Sequence, residues 1–373
     1  MSRLPARLLT FTRVASQALR HRRRHPVASP KRILIAHHLL LGDTLMLTPL
    51  LAKLRRQYPA AEIAMTMQRA VAPLYSGRPY GVQALPFHPA DRSTLRRLFA
   101  SGPYDLALIP GDNRYSWLAY AMRAHWIVAF DGDRPGYKSW PVDALQPYPS
   151  KPTPWPDANC ELIPGPMPPA MSGNDWPAPD CEPLPPLPRD YVVFHLGASS
   201  PLKLWPAERW RALAEHAAGK GYSVIWSGGP GEQRLVDEVD PEKQFDSLAG
   251  LLDLAQLWHL LKGARALVCP DTGVAHLGRI AAIPTLSLYG PGSAQLYGQS
   301  RFWRREIFHA LSEPIDCRDQ PLLYKRRIAW VRRCSRGPAQ CEHQAECMRL
   351  ITLDSVRRHF DQLTNISGWK TGA

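Results

Sequence analysis

The stretch with the clearest chemical potential is a glycine–aspartate pair, Gly42-Asp43, between an apolar run and a helical pattern. The run Ile33–Ala36 has the composition of a buried strand, and residues 44–57 have the spacing of a helix. Glycine lets the backbone turn sharply there, which puts Asp43 at the carboxyl end of the strand, where open α/β sheets bind ligands. An aspartate in that position can serve as a general base. Asp is also a favoured N-cap residue, so both roles stay open.

Three loops in the second half carry residues that suit the phosphates of a nucleotide. The loop His195–Pro206 combines a glycine turn with Lys203, whose ammonium could neutralise a phosphate. The loop Ser227–Glu232 is rich in glycine, and its glutamate could accept hydrogen bonds from ribose hydroxyls. The loop Cys269–His276 passes from a strand into a helix, whose first N–H groups and dipole favour an anion.

A histidine and a glycine extend this pattern. His276 lies one turn into the helix and could donate to a pyrophosphate, although a single helical histidine more often has a structural role. Gly290 lies in the turn after the next predicted strand and could line the same pocket. Each loop alone is a weak signal, whereas together, at the ends of strands of one sheet, they favour a nucleotide site.

Short apolar runs alternate with helical patterns along the chain, which indicates an α/β fold with parallel sheets covered on both faces. The predicted strands are Ile33–Ala36, Glu62–Met67, Tyr104–Ile109 and Trp126–Phe130, then Tyr191–His195, Tyr222–Trp226, Ala266–Cys269 and Thr285–Tyr289. The predicted helices are 44–57, 92–101 and 114–123, then 207–219, 231–239, 253–262 and 273–282.

Proline content divides the chain. Residues 141–188 hold 16 of its 38 prolines, and proline neither continues a helix nor donates to a central strand. We therefore expect an extended surface linker between two α/β domains, with a cleft that would suit a ligand. The expected parts are a basic arm (1–30), an N-terminal domain (31–140), the linker (141–188), a nucleotide-binding domain (189–350) and a C-terminal helix (351–373) that packs back on the N-terminal domain.

The charge is strongly positive and uneven. The formal net charge is +14, and residues 1–32 hold nine Lys or Arg and no acid, which favours polyanionic partners. Leucines and Phe11 are interspersed among these arginines, so the arm is either an amphipathic helix on an anionic membrane or a solvated tail. The sequence has no apolar run of about 18 residues that would predict a transmembrane helix. Its basic block follows a short apolar run, which does not fit a secretory signal.

Seven cysteines, an odd number in a chain of 373 residues, do not suggest a disulfide scaffold and favour a reducing cytoplasm. Four of them come late, with 16, 6 and 5 residues between them: Cys317, Cys334, Cys341 and Cys347. Zinc or iron binding is conceivable, but the paired Cys-x₂₋₄-Cys spacing is absent. Structural thiols or a local disulfide fit better, and we predict no metal site.

Taken together, the motifs resemble the heptosyltransferases of glycosyltransferase family nine. They occur in the family's order across residues 32–365: Gly42-Asp43 with Thr48-Pro49, His195-x-Gly197-Ala198 with Lys203-x-Trp205-Pro206, Gly228-Gly229 with Glu232, and Asp271-Thr272-Gly273 with His276. The late cysteines also resemble the tail of some members. The resemblance implies a GT-B fold, in which two Rossmann-like domains with parallel sheets face a central cleft and the N-terminal domain takes the acceptor.

The resemblance also implies an activity. This is inverting, metal-independent transfer of heptose from ADP-heptose to a phosphorylated glycolipid of the lipopolysaccharide core, without a cofactor or a nucleic-acid partner. The expected location is the cytoplasm, on the cytoplasmic face of the anionic inner membrane. The family's base maps to Asp43, and Lys203 would stabilise the leaving diphosphate. The family's other nucleotide contacts map to Ser199, Glu232, Asp271, Thr272, Gly273 and His276. Gly42 and Gly290 are further candidates for substrate contacts, from their positions in the two glycine turns.

Several alternatives stay open. Some family members modify a protein acceptor. A metal-dependent glycosyltransferase of the GT-A type would use Asp131 and Asp133, whose Asp-x-Asp spacing suits Mg²⁺ or Mn²⁺ bridging phosphates. The basic clusters Arg304-Arg305 and Lys325–Arg327 could contact the phosphates of a nucleic acid or of a glycolipid. A dinucleotide dehydrogenase is disfavoured, because no Gly-x-Gly-x-x-Gly follows the first strand.

Overall fold

The computed structural model describes residues 4–18, 24–172, 175–303 and 307–366. The chain divides into two compact units. The first unit comprises Met1–Pro169 with Leu322–Trp330, and the second comprises Ala170–Pro321 with Val331–Ala373. The predicted α/β class with two parallel sheets is confirmed.

The first unit is built on a six-stranded sheet in which every strand pair is parallel. Its strands are β1 (Arg32–Ile35), β2 (Glu62–Met67), β3 (Val82–Pro86), β4 (Tyr104–Ile109), β5 (Ala124–Phe130) and β6 (Ala144–Gln146), in the order β3-β2-β1-β4-β5-β6. Its helices are α1 (Leu4–Ala18), α2 (Leu41–Leu45), α3 (Thr48–Gln57), α4 (Arg92–Ser101), α5 (Ser116–Ala121) and α6 (Trp155–Asn159). The central strands are apolar along their length because helices cover both faces of the sheet.

The second unit repeats this plan. Its strands are β7 (Tyr191–His195), β8 (Ser223–Ser227), β9 (Asp246–Ser247), β10 (Leu267–Pro270), β11 (Thr285–Leu288) and β12 (Phe308–Leu311), in the order β12-β11-β10-β7-β8-β9. Its helices are α7 (Ala207–Gly219), α8 (Gln233–Val239), α9 (Leu254–Gly263), α10 (Gly273–Ile280), α11 (Ala294–Tyr297), α12 (Glu346–Arg349) and α13 (Leu353–Thr364). Counted from its own first strand, each sheet has the order 3-2-1-4-5-6, which is that of a Rossmann fold.

The first part of the proline-rich segment, residues 141–169, is not the extended surface linker that its composition suggested. Residues 141–169 belong to the first unit and supply β6, the edge strand of its sheet. They also supply α6, in which Trp155 and Ala158 are buried. Proline is compatible with this arrangement because Pro156 occupies the first turn of α6, where no backbone donor is needed.

The C-terminal helix also differs from expectation. Rather than packing on the N-terminal domain, α13 packs on α7 and β11 of the second unit. Its residues Val356, Phe360 and Leu363 join the hydrophobic core that contains Phe194. The helix therefore completes the layer of helices over its own sheet, because an amphipathic helix next to an uncovered apolar sheet face buries its stripe there.

A short hairpin interrupts the second unit and belongs to the first. Its strands are β13 (Leu322–Leu323) and β14 (Arg326–Arg327). Arg326 is buried and donates to the carbonyls of Gly111, Phe130 and Asp131 and to Oδ1 of Asn113. The basic cluster Lys325–Arg327 is therefore partly structural, because it contains Arg326. The other basic cluster, Arg304-Arg305, lies outside the described residues.

The basic arm is only partly described. Residues 4–18 form α1, whereas Arg20, Arg22 and Arg23 lie outside the described residues. Arg24 pairs with Asp143 at 2.8 Å and donates to the carbonyl of Pro141. Within the described ranges, no helix has both the length and the apolar character that a membrane span needs.

Candidate active site

The loops after β7 and β10 meet at the point where the order of strands in the second sheet reverses. β7 and β10 are neighbours, and their connections run to opposite sides of the sheet, which leaves a crevice at the carboxyl ends. Lys203 spans this point. Its Nζ donates to the carboxylate of Asp271 at 2.9 Å and to the main-chain carbonyl of the same residue at 2.8 Å. An ammonium has three donors, so a third N–H remains beyond these two bonds.

Asp271 is held against the turn after β11. Its carboxylate is buried and lies against Gly292, where a Cβ would collide with it. Its main-chain N–H donates to the carbonyl of Leu288 at 2.9 Å. Asp271 was predicted as a nucleotide contact, and the structure shows its carboxylate orienting Lys203.

The N-terminus of α10 follows directly. Thr272 is the N-cap, and its side chain makes no capping hydrogen bond. The first N–H groups of an α-helix have no partner within the helix. Thr272 and Gly273 are partly exposed at this end, so the positive end of the helix dipole lies beside the Lys203–Asp271 pair.

His276 lies on the buried side of α10. Its Nδ1 accepts a hydrogen bond from Nη1 of Arg279 at 3.2 Å. Since arginine only donates, the ring proton is thereby assigned to Nε2. Burial, with the nearby positive charges of Arg279 and Lys203, holds the pKa of His276 well below its usual value. His276 is therefore a neutral imidazole with a donor at Nε2, as an interaction with a phosphate oxygen requires.

The loop after β8 adjoins the loop after β7. Oε2 of Glu232 accepts a hydrogen bond from the N–H of Gly229 at 2.5 Å. The same carboxylate lies over Gly197, where a Cβ would collide with it. The absence of a side chain at Gly197 therefore leaves the space that the Glu232 carboxylate occupies between the two loops.

Ser199 and Gly290, both predicted to contact the nucleotide, lie in different environments. Ser199 is exposed in the loop that carries Lys203. Gly290 is buried beneath the side chain of Met348, with the sulfur of Cys347 next to it. The absence of a side chain at Gly290 thus makes room for Met348, which is a packing role rather than the pocket-lining role expected from the sequence.

In the first unit, Asp43 lies in the first turn of α2 and is half-buried. The N-cap of α2 is Leu40, so the capping role considered for Asp43 is wrong. An acidic residue in the first turn still interacts favourably with the helix dipole. Gly42, which precedes it, is buried, and its carbonyl accepts from the N–H of Met46.

The loops after β1 and β4 meet at the equivalent reversal of the first sheet. The side chain of Leu39 lies against Gly111, and the ring of Tyr324 from the hairpin packs on the same glycine. Trp155 donates to the hydroxyl of Tyr324 at 2.8 Å. His37 is buried, and burial with the neighbouring His38 lowers its pKa to about 3. Nothing in the sequence linked Tyr324 to this edge, because it is remote in the chain.

Asp131 and Asp133, proposed for a GT-A-type metal site, have separate environments. Asp133 is buried, accepts from the N–H of Asn113 at 2.7 Å and pairs with Lys138 at 2.9 Å. Asp131 is exposed and accepts from the N–H of Gly132. The carboxylate of Asp133 already binds the ammonium of Lys138 and the N–H of Asn113, so the GT-A hypothesis loses one of its two candidate ligands.

The late cysteines, Cys317, Cys334, Cys341 and Cys347, are free thiols, so the local disulfide is not formed. Arg336 donates to the carbonyl of Cys317 at 2.7 Å. Burial raises the pKa of Cys347 to about 11. Among the described residues, no group of three or more His, Cys, Asp or Glu side chains is placed to hold a metal ion.

Comparison with known proteins agrees with this architecture. The family model of glycosyltransferase family 9 (heptosyltransferase) matches residues 167–317. Lipopolysaccharide heptosyltransferase 1 of Pseudomonas aeruginosa is 37% identical over 116 residues, which cover 30% of this chain and 32% of that protein. The matched segment thus spans about a third of the length of this curated relative.

Solved structures resemble most of the chain. ADP-heptose lipopolysaccharide heptosyltransferase II of Escherichia coli has a TM-score of 0.66 at 18% identity, over 90% of this chain and 98% of that one. The Escherichia coli heptosyltransferase WaaC with ADP-2-deoxy-2-fluoro heptose has a TM-score of 0.66 at 17% identity, over 89% and 99%. The fold is therefore the GT-B fold, with two Rossmann-like units. The resemblance to glycosyltransferase family nine is confirmed for residues 167–317, a segment that contains Lys203, Glu232, Asp271 and His276.

Proposed function

We propose that this protein is an inverting heptosyltransferase that transfers heptose from ADP-heptose to a phosphorylated glycolipid of the lipopolysaccharide core. The observation that supports it most is the Lys203–Asp271 pair beside the N-terminus of α10, within the segment that the family model matches. The names of the relatives supply the sugar and the acceptor class, and the arrangement of donors supplies the chemistry.

In this proposal the second unit binds the donor. The third N–H of Lys203, the first N–H groups of α10 and Nε2 of His276 all donate toward one diphosphate. Asp271 keeps Lys203 in one rotamer, so little reorganisation is needed when negative charge develops on the leaving ADP. Such preorganised donors often make the largest contribution to catalysis.

Asp43 acts as the general base. The acceptor hydroxyl attacks C1 of the heptose, its proton passes to the Asp43 carboxylate, and the bond between C1 and the β-phosphate oxygen breaks with its electron pair leaving on ADP. This displacement from the opposite face inverts the anomeric centre. Asp43 lies outside the segment matched by the family model, so its role depends on its position in the first unit.

We further propose that the reaction needs no metal ion, because Lys203 and the helix N-terminus supply the positive charge that a cation supplies elsewhere. The reaction would take place at the cytoplasmic face of the inner membrane, where a lipid-linked core acceptor is available. Activity that survives dialysis against EDTA would support metal independence. Loss of activity that Mg²⁺ or Mn²⁺ restores would contradict it.

Two experiments test the proposed function. A thermal-shift series with ADP, UDP, GDP, dTDP and CMP should give selective stabilisation by ADP, because a ligand stabilises the state that it binds. Release of ADP from ADP-heptose should then require a lipopolysaccharide-core acceptor, and mass spectrometry of that acceptor should show one added heptose. A heptosylated protein without glycolipid turnover would replace the acceptor in this proposal. Stabilisation by another nucleotide would reject the donor.

A further inference from the structure

The N-terminal helix α1 is fixed to the first unit by one face. Ala6 and Val14 are buried in the core cluster that also contains Leu98 and Ala119. The side-chain amide of Gln17 donates to the carbonyl of Ala121 at 3.0 Å. α1 therefore packs on α4 and α5, and its outward face is a defined surface.

That outward face is apolar. Leu8 is 61% exposed and Phe11 67% exposed, and Ala15 is exposed as well. Residues 8, 11 and 15 are separated by three and four positions, so they form one stripe along a helix. The core-facing stripe of α1 is already buried within the first unit, so Leu8 and Phe11 are not needed for that packing. Exposed apolar stripes of this kind mark surfaces that bind a partner.

The surroundings of the stripe are basic. α1 and α4 together contain five arginines and no acidic residue: Arg7, Arg13, Arg92, Arg96 and Arg97. A groove of about 460 Å³ runs between the two helices, with Arg13 and Arg96 beside Leu9 and Phe99. Nε of Arg13 is buried and has no hydrogen-bond partner in the described part of the chain. The groove thus combines a cationic lining with apolar walls.

We propose that the outer face of α1, with the adjoining groove on α4, docks the protein on an anionic lipid bilayer. Leu8 and Phe11 insert at the boundary between headgroups and acyl chains, and Arg13 and Arg96 bind a lipid phosphate. An interfacial helix has this combination of an apolar stripe and flanking arginines. The inference rests on the proposed function, which supplies the lipid-linked acceptor. Binding to the bilayer itself requires neither the sugar donor nor the acceptor.

The test is sedimentation of the full chain with vesicles, without any sugar substrate. We expect binding to vesicles of phosphatidylcholine mixed with phosphatidylglycerol, weak binding to phosphatidylcholine alone, and loss of binding as salt increases. Leu8→Ser with Phe11→Ser should weaken binding at least about tenfold, as expected when two buried apolar side chains are lost. Arg13→Gln with Arg96→Gln should remove the preference for the anionic vesicle.

A matched control is Leu251→Ser, which removes an apolar side chain that is 68% exposed in the second unit. It should bind vesicles as the unmodified protein does. Each variant should keep its Tm and its stabilisation by ADP, which separates a failure of docking from a failure of donor binding. Equal binding by the Leu8/Phe11 variant and the unmodified protein would overturn the inference. So would a dimer in light scattering that this variant converts to a monomer, because the face would then bind a second copy.

Discussion

Nζ of Lys203 lies 2.9 Å from the carboxylate of Asp271, and this ion pair joins two loops that are 68 residues apart in sequence. The contact lies where neighbouring strands of the second sheet send their connections to opposite sides. A lysine in such a pair is held in place before any ligand arrives. This preorganisation is the basis of the first prediction.

Replacing Lys203 with alanine should weaken ADP binding and lower turnover at least about a hundredfold, the usual loss when a preorganised donor to the transition state is removed. Titration calorimetry with ADP and steady-state kinetics would measure both effects. Lys220→Ala is the control, since Lys220 forms a partly exposed ion pair with Asp361. An unchanged kcat in Lys203→Ala would show that another group stabilises the leaving ADP.

Asp43→Asn should lower turnover by about a hundredfold to ten-thousandfold, the range for loss of a general base, while ADP affinity stays within about twofold of the parent. The amide has the same shape as the carboxylate but cannot accept the proton at neutral pH. Asp131→Asn is the matched control, because Asp131 is exposed in the same unit. Loss of activity in the control variant instead would return the Asp131–Asp133 hypothesis to consideration.

A single methyl group at Gly292 should disturb the Lys203–Asp271 pair indirectly. The alanine Cβ would collide with the Asp271 carboxylate, so that carboxylate has to move and Lys203 keeps only the main-chain carbonyl of Asp271 as an acceptor. We expect Gly292→Ala to weaken ADP binding without contacting ADP itself. Gly219→Ala at the end of α7 meets no atom within 4 Å and should bind ADP normally. Equal affinities in the two variants would show that Asp271 does not position the lysine.

Acidification should destabilise the protein through its buried histidines. Burial lowers the pKa of His195 from 6.5 to about 4. Burial lowers the pKa of His37 as well. Below pH 6.5 the unfolded chain gains protons that the folded chain does not, so stability falls as the pH drops from 6.5 toward 4. Each such histidine contributes about 1.4 kcal/mol per pH unit in that window.

Urea unfolding at about pH 7.5 and about pH 5 would measure this linkage. His195→Gln should have a smaller pH dependence than the unmodified protein, even if it is less stable at both pH values. His88→Gln, at an exposed position, should leave the pH dependence as it was. A free energy of unfolding that is flat between the two pH values would contradict the buried, neutral state of these imidazoles.

The strands were predictable where the local pattern decides the structure. β2, β4 and β7 have the predicted bounds, because each is an apolar run long enough to cross a sheet that is buried on both faces. Four strands of the two sheets were missed: β6 lies among prolines, β9 has only two residues, and β3 and β12 are short and only partly buried. Arg326 was considered as a contact to phosphates, and its structural role was missed because its partners are about 200 positions away in the chain.

The candidate site was predictable at the level of loops but not of contacts. Parallel strands bring the loops of Lys203, Glu232 and Asp271 to one edge of the sheet, and that much follows from topology. The hydrogen-bond acceptor that each N–H group contacts depends on side-chain geometry. The pairing of Lys203 with Asp271 and the bond from Gly229 to Glu232 were therefore not available from the sequence, nor was the packing role of Gly290.

The hairpin that carries Tyr324 and Arg326 has a consequence for synthesis of the chain. During translation, residues 1–169 emerge long before residue 330, and until then Asn113 and the carbonyls of Gly111 and Phe130 lack the guanidinium that they bind in the finished protein. The first unit is the first to leave the ribosome yet is completed only after most of the second has been made. A fragment that ends at residue 169 would therefore lack part of the first unit. Adding residues 322–330 as a separate peptide should raise the stability of that fragment.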